Sequence, residues 1–532
     1  MSSNPRSILA GPPWAWRTLE VLLIVLLFFL LAGWPPPDVN ESHYLAKAKH
    51  YWNSAWCRGD HFLTSADAHL VFYWTLGWLT RWLPLPAVAW VGRFVTWSLL
   101  AWAWQRLSYA VVPARLAAVA SAGLVLLFQY RFHMAGEWMV GGVEAKGFAY
   151  AFVLLAVEAM LRQRWNTAGV CLGAAMAFHP VVGGWSLVAA GCAWWSCGPL
   201  RPRVRSLLLG LAGGLLLALP GLVPALLLNH GVSAEVAREA NYIYVYQRLP
   251  HHLVFHRFPH EFMVRQAILL VLWLVVCKAT PCPVARGVLG QRPLRGFVGG
   301  AVAIAVAGIV IDQLLWFDPD LAASLLRYYW YRLSDSMLPV GAALALVACV
   351  HQWRPQHPRL AGWAWAALIL VSGGSLAVSN FARRFDLRPG ADIQSLPSGE
   401  WDPAEVRRAH ADWLRVCRWI AQHTDRDAGF LTPRHQQTFK WYAERREVCC
   451  WKDVPQDAAA LVEWWRRQEA VYVRGLAAHG EQHLLELARK YGVQYIVIDR
   501  QSGPRRLDLP RVYPSVFETT TPTYEVYRVP SE

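Results

Sequence analysis

Apolar runs long enough to cross a bilayer recur from residue 18 to residue 379, separated by short polar loops, and this recurrence constrains the fold more than any motif. Window hydropathy marks them near residues 18–34, 86–104, 113–130, 147–161, 166–178, 181–197, 206–228, 263–277, 296–316, 336–351 and 360–379. A hydrocarbon layer about 30 Å thick needs roughly 20 apolar residues in a helix. The expectation is therefore an α-helical polytopic membrane protein with about eleven transmembrane helices. Composition agrees: 55% of the 532 residues are apolar, 30 are Trp, and mean hydropathy is +0.24. The first run lacks a small-residue cleavage site and is expected to be a retained helix rather than a signal peptide.

The formal net charge is +15, which raises the question of nucleic acid. Split at Glu400, the C-terminal part has 20 Lys+Arg against 19 Asp+Glu, leaving 31 against 17 upstream, an excess of 31 − 17 = +14 in the membrane half. Basic residues there serve topology and anionic lipid contact, so no nucleic-acid partner is expected. With the N-terminus inside, the inner loops carry Arg106, Arg115, Arg162, Arg164, Arg201, Arg203, Arg205, Lys278, Arg286, Arg292, Arg295, Arg354 and Arg359 without any Asp or Glu. The opposite loops collect Asp38, Glu41, Asp60, Asp67, Glu137, Glu144, Glu235, Glu239, Glu261, Asp318, Asp320 and Asp335. Positive residues remain cytoplasmic, so the N-terminus is expected in the cytoplasm and every carboxylate cluster on the outer face. Asp67 to Leu83 looks like a further span, but counting it inverts every later loop. It is expected to be a helix lying in the outer interface, inside a structured outer loop at 35–85.

Residues 1–380 thus form a transmembrane domain, and 381–532 are expected to be a soluble extracytoplasmic domain. Helical periodicity in Pro403–His423 and Glu481–Tyr491 alternates with strand-like runs at 429–432, 447–451, 494–499 and 524–529, the pattern of a small α/β domain. Ten cysteines without CxxC spacing predict neither a zinc site nor a disulfide framework.

Candidate site residues lie on the outer face. Asp38 and Glu41 form the first carboxylate pair, placed where the first apolar helix ends, and carboxylates beside a bilayer face water or a partner. An ordinary polar loop with a capping Asp is the alternative. Glu144 and Lys146 flank the Gly141-Gly142 turn before a span, as a site or as a local ion pair. The loop 248–261 holds Arg248, His251, His252, His256, Arg257 and His260. These suit a diphosphate or a divalent metal, with His252 and His256 at the i, i+4 spacing of a ligand pair, or else simple interfacial histidines. His179, before Pro180, lies by topology at the outer end of a helix near the same cavity, or merely ends that helix. Arg327 and Arg332 flank four aromatic residues, fit for sugar stacking, lipid phosphate or an interfacial belt.

The first outer loop resembles that of the GT-C class of membrane glycosyltransferases, notably the lipid A aminoarabinose transferases and protein O-mannosyltransferases. Asp38, Tyr44, Ala48, Gly59 and Asp60 stand in the pattern of that loop, Tyr73-Trp74, Gly77 and Arg93 fit its interfacial helix and second span, and Glu144 occupies its second acidic position. The adjacent Asp-Glu of the class is spread here to Asp38-x-x-Glu41, and its Lys-Pro-Pro is missing. The resemblance implies a GT-C-like fold in a bacterial inner membrane and a sugar donor carried on polyprenyl phosphate. It also implies Asp38 as general base or cation ligand and Tyr73, Arg93 and Glu144 around the substrates; the residues themselves add Glu41 as second carboxylate and Lys146, His179, Arg248, His251, His252 and Arg257 as substrate contacts. A divalent metal is expected on Asp38, Glu144, His252 and His256. A transporter, or a non-catalytic relative that binds a lipid-linked glycan, is the alternative, the first weakened because the acidic residues sit in outer loops rather than mid-span, apart from Glu158 and Asp312.

Overall fold

The computed structural model describes residues 14–280, 290–395, 402–473, 480–500, 507–514 and 522–530. Each expected apolar run falls on a helix: Trp14–Ala32, Leu85–Val111, Ala117–Arg131, Ala145–Leu161, Trp165–Phe178, Pro180–Ser196, Leu208–Leu227, His260–Ala279, Arg292–Gln313, Arg332–Trp353 and Pro358–Arg383. Six segments are long and apolar enough to cross a membrane by length and composition: Trp14–Ala32, Val204–Leu227, His260–Ala279, Arg292–Trp316, Arg332–Trp353 and Pro358–Arg383. The others are shorter or less apolar. Trp165–Phe178, at 14 residues, rises only about 21 Å before Pro180 opens the next helix.

Arg332–Trp353 is the central helix, buried along nearly its whole length. Around it the outer helices turn bare apolar faces outward: Leu209, Leu216 and Leu226 are 83%, 68% and 71% exposed, and Trp363 and Leu370 are 77% and 72% exposed. Contiguous apolar surface on this scale is stable only against lipid, so this is an integral membrane protein. Between helices, shape replaces hydrophobicity. Gly169 and Gly173 face Gly210 and Gly214, and a Cβ on Gly210 would meet the Asn166 backbone at 2.4 Å, so only small residues permit this approach. Two buried carboxylates of the bundle have basic partners. Glu158 accepts from Arg106, Arg162 and Arg164 at 3.0, 2.5 and 2.9 Å, and Asp312 meets His256 Nδ1 at 2.9 Å.

The first outer loop is structured, with a 12-residue helix at Glu41–Trp52. The expected interfacial helix is two pieces instead, Leu70–Trp74 and a 3-10 turn Gly77–Arg81, of five residues each. Thr75 breaks it at φ −91°, ψ −88°, and Gly77 lies so close that its Cβ would be 2.8 Å from that of Ala48. Neither piece is long enough to cross a bilayer.

The C-terminal part contains one mixed sheet of β1 (Gly429–Leu431), β2 (Arg446–Glu447), β3 (Tyr495–Asp499), β4 (Arg511–Tyr513) and β5 (Tyr524–Arg528). Its order is β2-β1-β3-β5-β4, with β1 parallel to β2 and β3, and β5 antiparallel to β3 and β4. Side chains alternate between two cores, as strand geometry requires. Phe430, Val497, Tyr524 and Val526 pack on Trp413 and Ile420 of the helix Pro403–His423. Leu431, Ile496, Ile498 and Tyr527 pack on Trp464 and Leu484 of Ala458–Gln468 and Glu481–Tyr491. Ala240 and Ile243, from the segment after Leu208–Leu227, complete the second core and tie the sheet domain to the bundle.

Candidate functional site

The turn Gly141–Val143 meets the start of the first outer loop and fixes its carboxylates. Gly142 N donates to Asp38 Oδ2 at 2.7 Å, Val39 N to Asp38 Oδ1 at 2.8 Å, and Val143 N to Glu41 Oε1 at 2.8 Å. A Cβ on Gly142 would be 2.6 Å from the Asp38 Cβ and 2.8 Å from Glu41 Cδ, so this approach needs glycine. Asp38 is half-buried, and Gly390, in the segment after Pro358–Arg383, covers it.

Glu41 is fully buried and committed. Arg93 Nε and Nη2 each donate to it at 2.6 Å, one to each oxygen, and Asp38 N adds a bond of 2.7 Å. Arg93, 1% exposed, also donates to the Trp34 carbonyl at 2.5 Å. Glu41, expected as second catalytic carboxylate, and Arg93, expected as substrate contact, are thus paired with each other. The two neutralise each other, and the fork anchors the loop that presents Asp38.

Glu144, beside Asp38, accepts from Asn40 Nδ2 at 3.0 Å and faces Lys146 Nζ at 3.5 Å. Burial raises its pKa, with Lys146 opposing. Lys146 also faces Glu137 Oε1 at 3.4 Å and lies 3.7 Å from the centre of the Trp138 ring. Arg332 Nε meets the other Glu137 oxygen at 3.0 Å, and its Nη1 donates to His179 Nε2 at 3.2 Å. The structure thus brings Asp38, Glu144, Lys146 and His179 together in one polar chain, joined by Glu137 and Arg332.

A second group continues it. Lys452, from the C-terminal domain, is within electrostatic reach of Arg248, Glu144, Lys146 and Asp453, and burial lowers its pKa to about 8. Arg248 donates from Nε to the Trp451 carbonyl at 3.0 Å. His251 is pushed down to about 4 by burial and by Arg248 and Lys452, so at neutral pH it is an uncharged hydrogen-bonding group.

Three expected residues lie elsewhere in role or place. Tyr73 is buried and donates to Asp67 Oδ2 at 2.7 Å, inside the outer loop. Arg257 is exposed in the 3-10 turn Phe255–Arg257. His252 and His256 are not a ligand pair: Leu253 ends the helix of the first, whose Nδ1 is 2.5 Å from the Ala135 carbonyl, while the second is held by Asp312. The expected metal set of Asp38, Glu144, His252 and His256 therefore does not assemble, because its histidines are spent on other partners. Among the described residues one group of three metal-capable side chains does cluster, Glu447, Cys450 and Asp453, all buried. Lys440 supplies the cation there, 2.6 Å from Glu447 and 2.5 Å from Asp453. None of the described cysteines is disulfide-bonded.

Sequence reasoning missed two features. Asp67 Oδ1 lies 2.8 Å from His69 Nδ1, and His69 Nε2 lies 3.5 Å from the Tyr44 hydroxyl. The His69 ring is 5.3 Å from that of His179. The Asp67-x-His69 spacing was the available signal for this array. For Lys452 no local signal existed, because its neighbours come from the loops of Glu144 and Arg248.

Residues 411–471, which include Lys440 and Lys452, match the model of a family described as a domain of unknown function, DUF6798. No curated protein matches the sequence. Among solved structures, the chain is similar to ArnT from Cupriavidus metallidurans bound to undecaprenyl phosphate, at 16% identity over 98% of this chain and 99% of that one, with a TM-score of 0.48. It is also similar to the archaeal oligosaccharyltransferase AglB from Archaeoglobus fulgidus, in complex with an inhibitory peptide and a dolichol-phosphate, at 12% identity over 92% of this chain and 70% of that one, with a TM-score of 0.45.

Proposed function

We propose that this protein is a membrane glycosyltransferase that takes a sugar from a polyprenyl-phosphate-linked donor and transfers it to a lipid, glycan or protein acceptor on the outer face. The observation that carries this reading is Asp38: a half-buried carboxylate, oriented by Gly142 N and Val39 N, beside Glu144 and a chain of cations. In the reaction, the acceptor oxygen or nitrogen attacks the anomeric carbon, the bond from that carbon to the phosphate oxygen breaks, and Asp38 takes the acceptor proton. The departing phosphate is stabilised by the cationic chain around Lys146, Arg248 and the neutral His251. The scattered donors do not fit the divalent cation expected from sequence, so no step is routed through one. In this reading about eleven helices span a bacterial inner membrane, with the N-terminus cytoplasmic and the outer loop and sheet domain outside, as the separation of loop charge supports.

One observation favours a binding protein instead: each Asp38 oxygen already accepts a backbone N–H. Asp38→Asn separates the two, assayed on a panel of polyprenyl-phosphate sugars. As a base, Asp38 supplies about 10² to 10⁴ in rate, so turnover falls by that factor while folding and donor binding persist. Full activity in the variant removes the mechanism.

A further inference from the structure

The cations of the outer face divide into two sets. Lys146 and Arg332 are matched by Glu137 and Glu144. Arg248, Arg434 and Lys452 form no ion pair among the described residues, although they lie close together. The guanidinium carbons of Arg434 and Arg248 are 4.3 and 4.9 Å from the centre of the same Trp451 ring, and Lys452 follows that Trp in the chain. The carboxylates that act on Lys452 are Glu144 and Asp453, and both are taken, the first by Lys146 and Asn40, the second by Lys440 and His43.

Three cations gathered without a counter-charge repel one another, and Arg248 is 8% exposed, so solvent does little to screen it. Its Nε is bonded to the Trp451 carbonyl, which leaves the two terminal nitrogens free to donate. Arg434 Nε is buried without any hydrogen-bond partner. Such donors are costly to bury unless something accepts from them. Two planar guanidinium forks on one Trp ring, with a flexible ammonium within electrostatic reach of Arg248, suit a tetrahedral oxyanion, which accepts from several directions at once.

We infer that Arg248, Arg434 and Lys452 form a binding site for a phosphate-class dianion, and that the C-terminal domain supplies two of its three cations. The sheet domain then contributes directly to ligand recognition. The site stands on its unpaired cations alone, and its place in sugar transfer rests on the proposed function. Two sources share this chemistry: the lipid-borne phosphate of the donor, and a phosphate on the acceptor.

The test uses the full-length protein in phosphatidylcholine nanodiscs, titrated calorimetrically with inorganic pyrophosphate. Lys452→Met and Arg434→Met should each weaken binding about tenfold or more, the loss of one charge-assisted hydrogen bond. Lys452→Arg should restore most of it, and Lys490→Met, at an exposed position of Glu481–Tyr491, should change nothing. Unchanged affinity in both Met variants, or no binding by the parent protein, overturns the site. Competition by polyprenyl phosphate added to the nanodisc assigns the site to the donor, and independence from it assigns the site to the acceptor. Normal pyrophosphate binding without any sugar transfer leaves the site standing and refutes the proposed reaction.

Discussion

Arg93 and Glu41, 52 residues apart in the chain, close a two-bond fork of 2.6 Å on each arm beneath the loop that carries Asp38. Both side chains are completely enclosed. A buried pair of this kind owes its stability to mutual neutralisation, so removing one partner leaves the other as an uncompensated charge.

Glu41→Gln and Arg93→Met should each therefore cost about 3–5 kcal/mol, and Arg93→Lys should rescue little because an ammonium cannot make the fork. Thermal unfolding in nanodiscs measures this. A variant with unchanged unfolding and lost turnover would return Glu41 to a catalytic role.

Lys440 has the same logic between domains. Its ammonium sits among Glu447, Asp453 and Asp60 at 2.6, 2.5 and 3.6 Å. Burial alone would lower its pKa, but these carboxylates hold it well above the usual lysine range. Asp60 belongs to the outer loop and also accepts from Glu447 N at 3.1 Å, so this lysine helps hold loop and sheet domain together. Lys440→Met should destabilise the protein by about 3–5 kcal/mol and expose the 402–473 segment to limited proteolysis. An undigested variant with parental stability would show that the docking does not depend on the charge.

The bundle was legible in the sequence because a bilayer imposes length and continuous hydrophobicity, and every expected run lies on a helix. The sheet was partly legible: Pro403–His423 and Glu481–Tyr491 carry clear periodicity and were read to the residue. The strand expected at 447–451 is only Arg446–Glu447, and the three-residue β4 and the helix Ala458–Gln468 were not foreseen. Elements that short are set by tertiary pairing more than by local pattern. At the site, composition identifies buried carboxylates and arginines but not which of them pair. Glu41 and Asp38 look alike in sequence, and only the fold shows Arg93 committed to one of them.

Topology is checked by labelling. Arg58 and Gly480 are exposed, in the outer loop and the sheet domain. With the exposed native Cys192 replaced, Arg58→Cys and Gly480→Cys should both react with an impermeant thiol reagent from the outer aqueous phase. Protection of both would invert the orientation, and with it the side of the membrane on which Asp38 works.

Lys452 gives the site a pH dependence of definite sign. Burial, with Arg248 and Lys146 beside it and Glu144 and Asp453 opposing, lowers its pKa from 10.5 to about 8. Between these values the unfolded chain binds a proton that the folded, unliganded protein does not, so the Lys452 contribution to stability rises as pH rises through that window. An anion prefers the protonated lysine, so its affinity follows the opposite course, full below about pH 8 and falling above it. Sulfate, which does not titrate in this range, is the suitable probe. Its dissociation constant should be flat from pH 6 to near 8 and then increase, and Lys452→Arg, which retains its charge, should extend the flat region to about pH 10. The same bend in the Arg variant would place the titrating group elsewhere and remove Lys452 from the anion site.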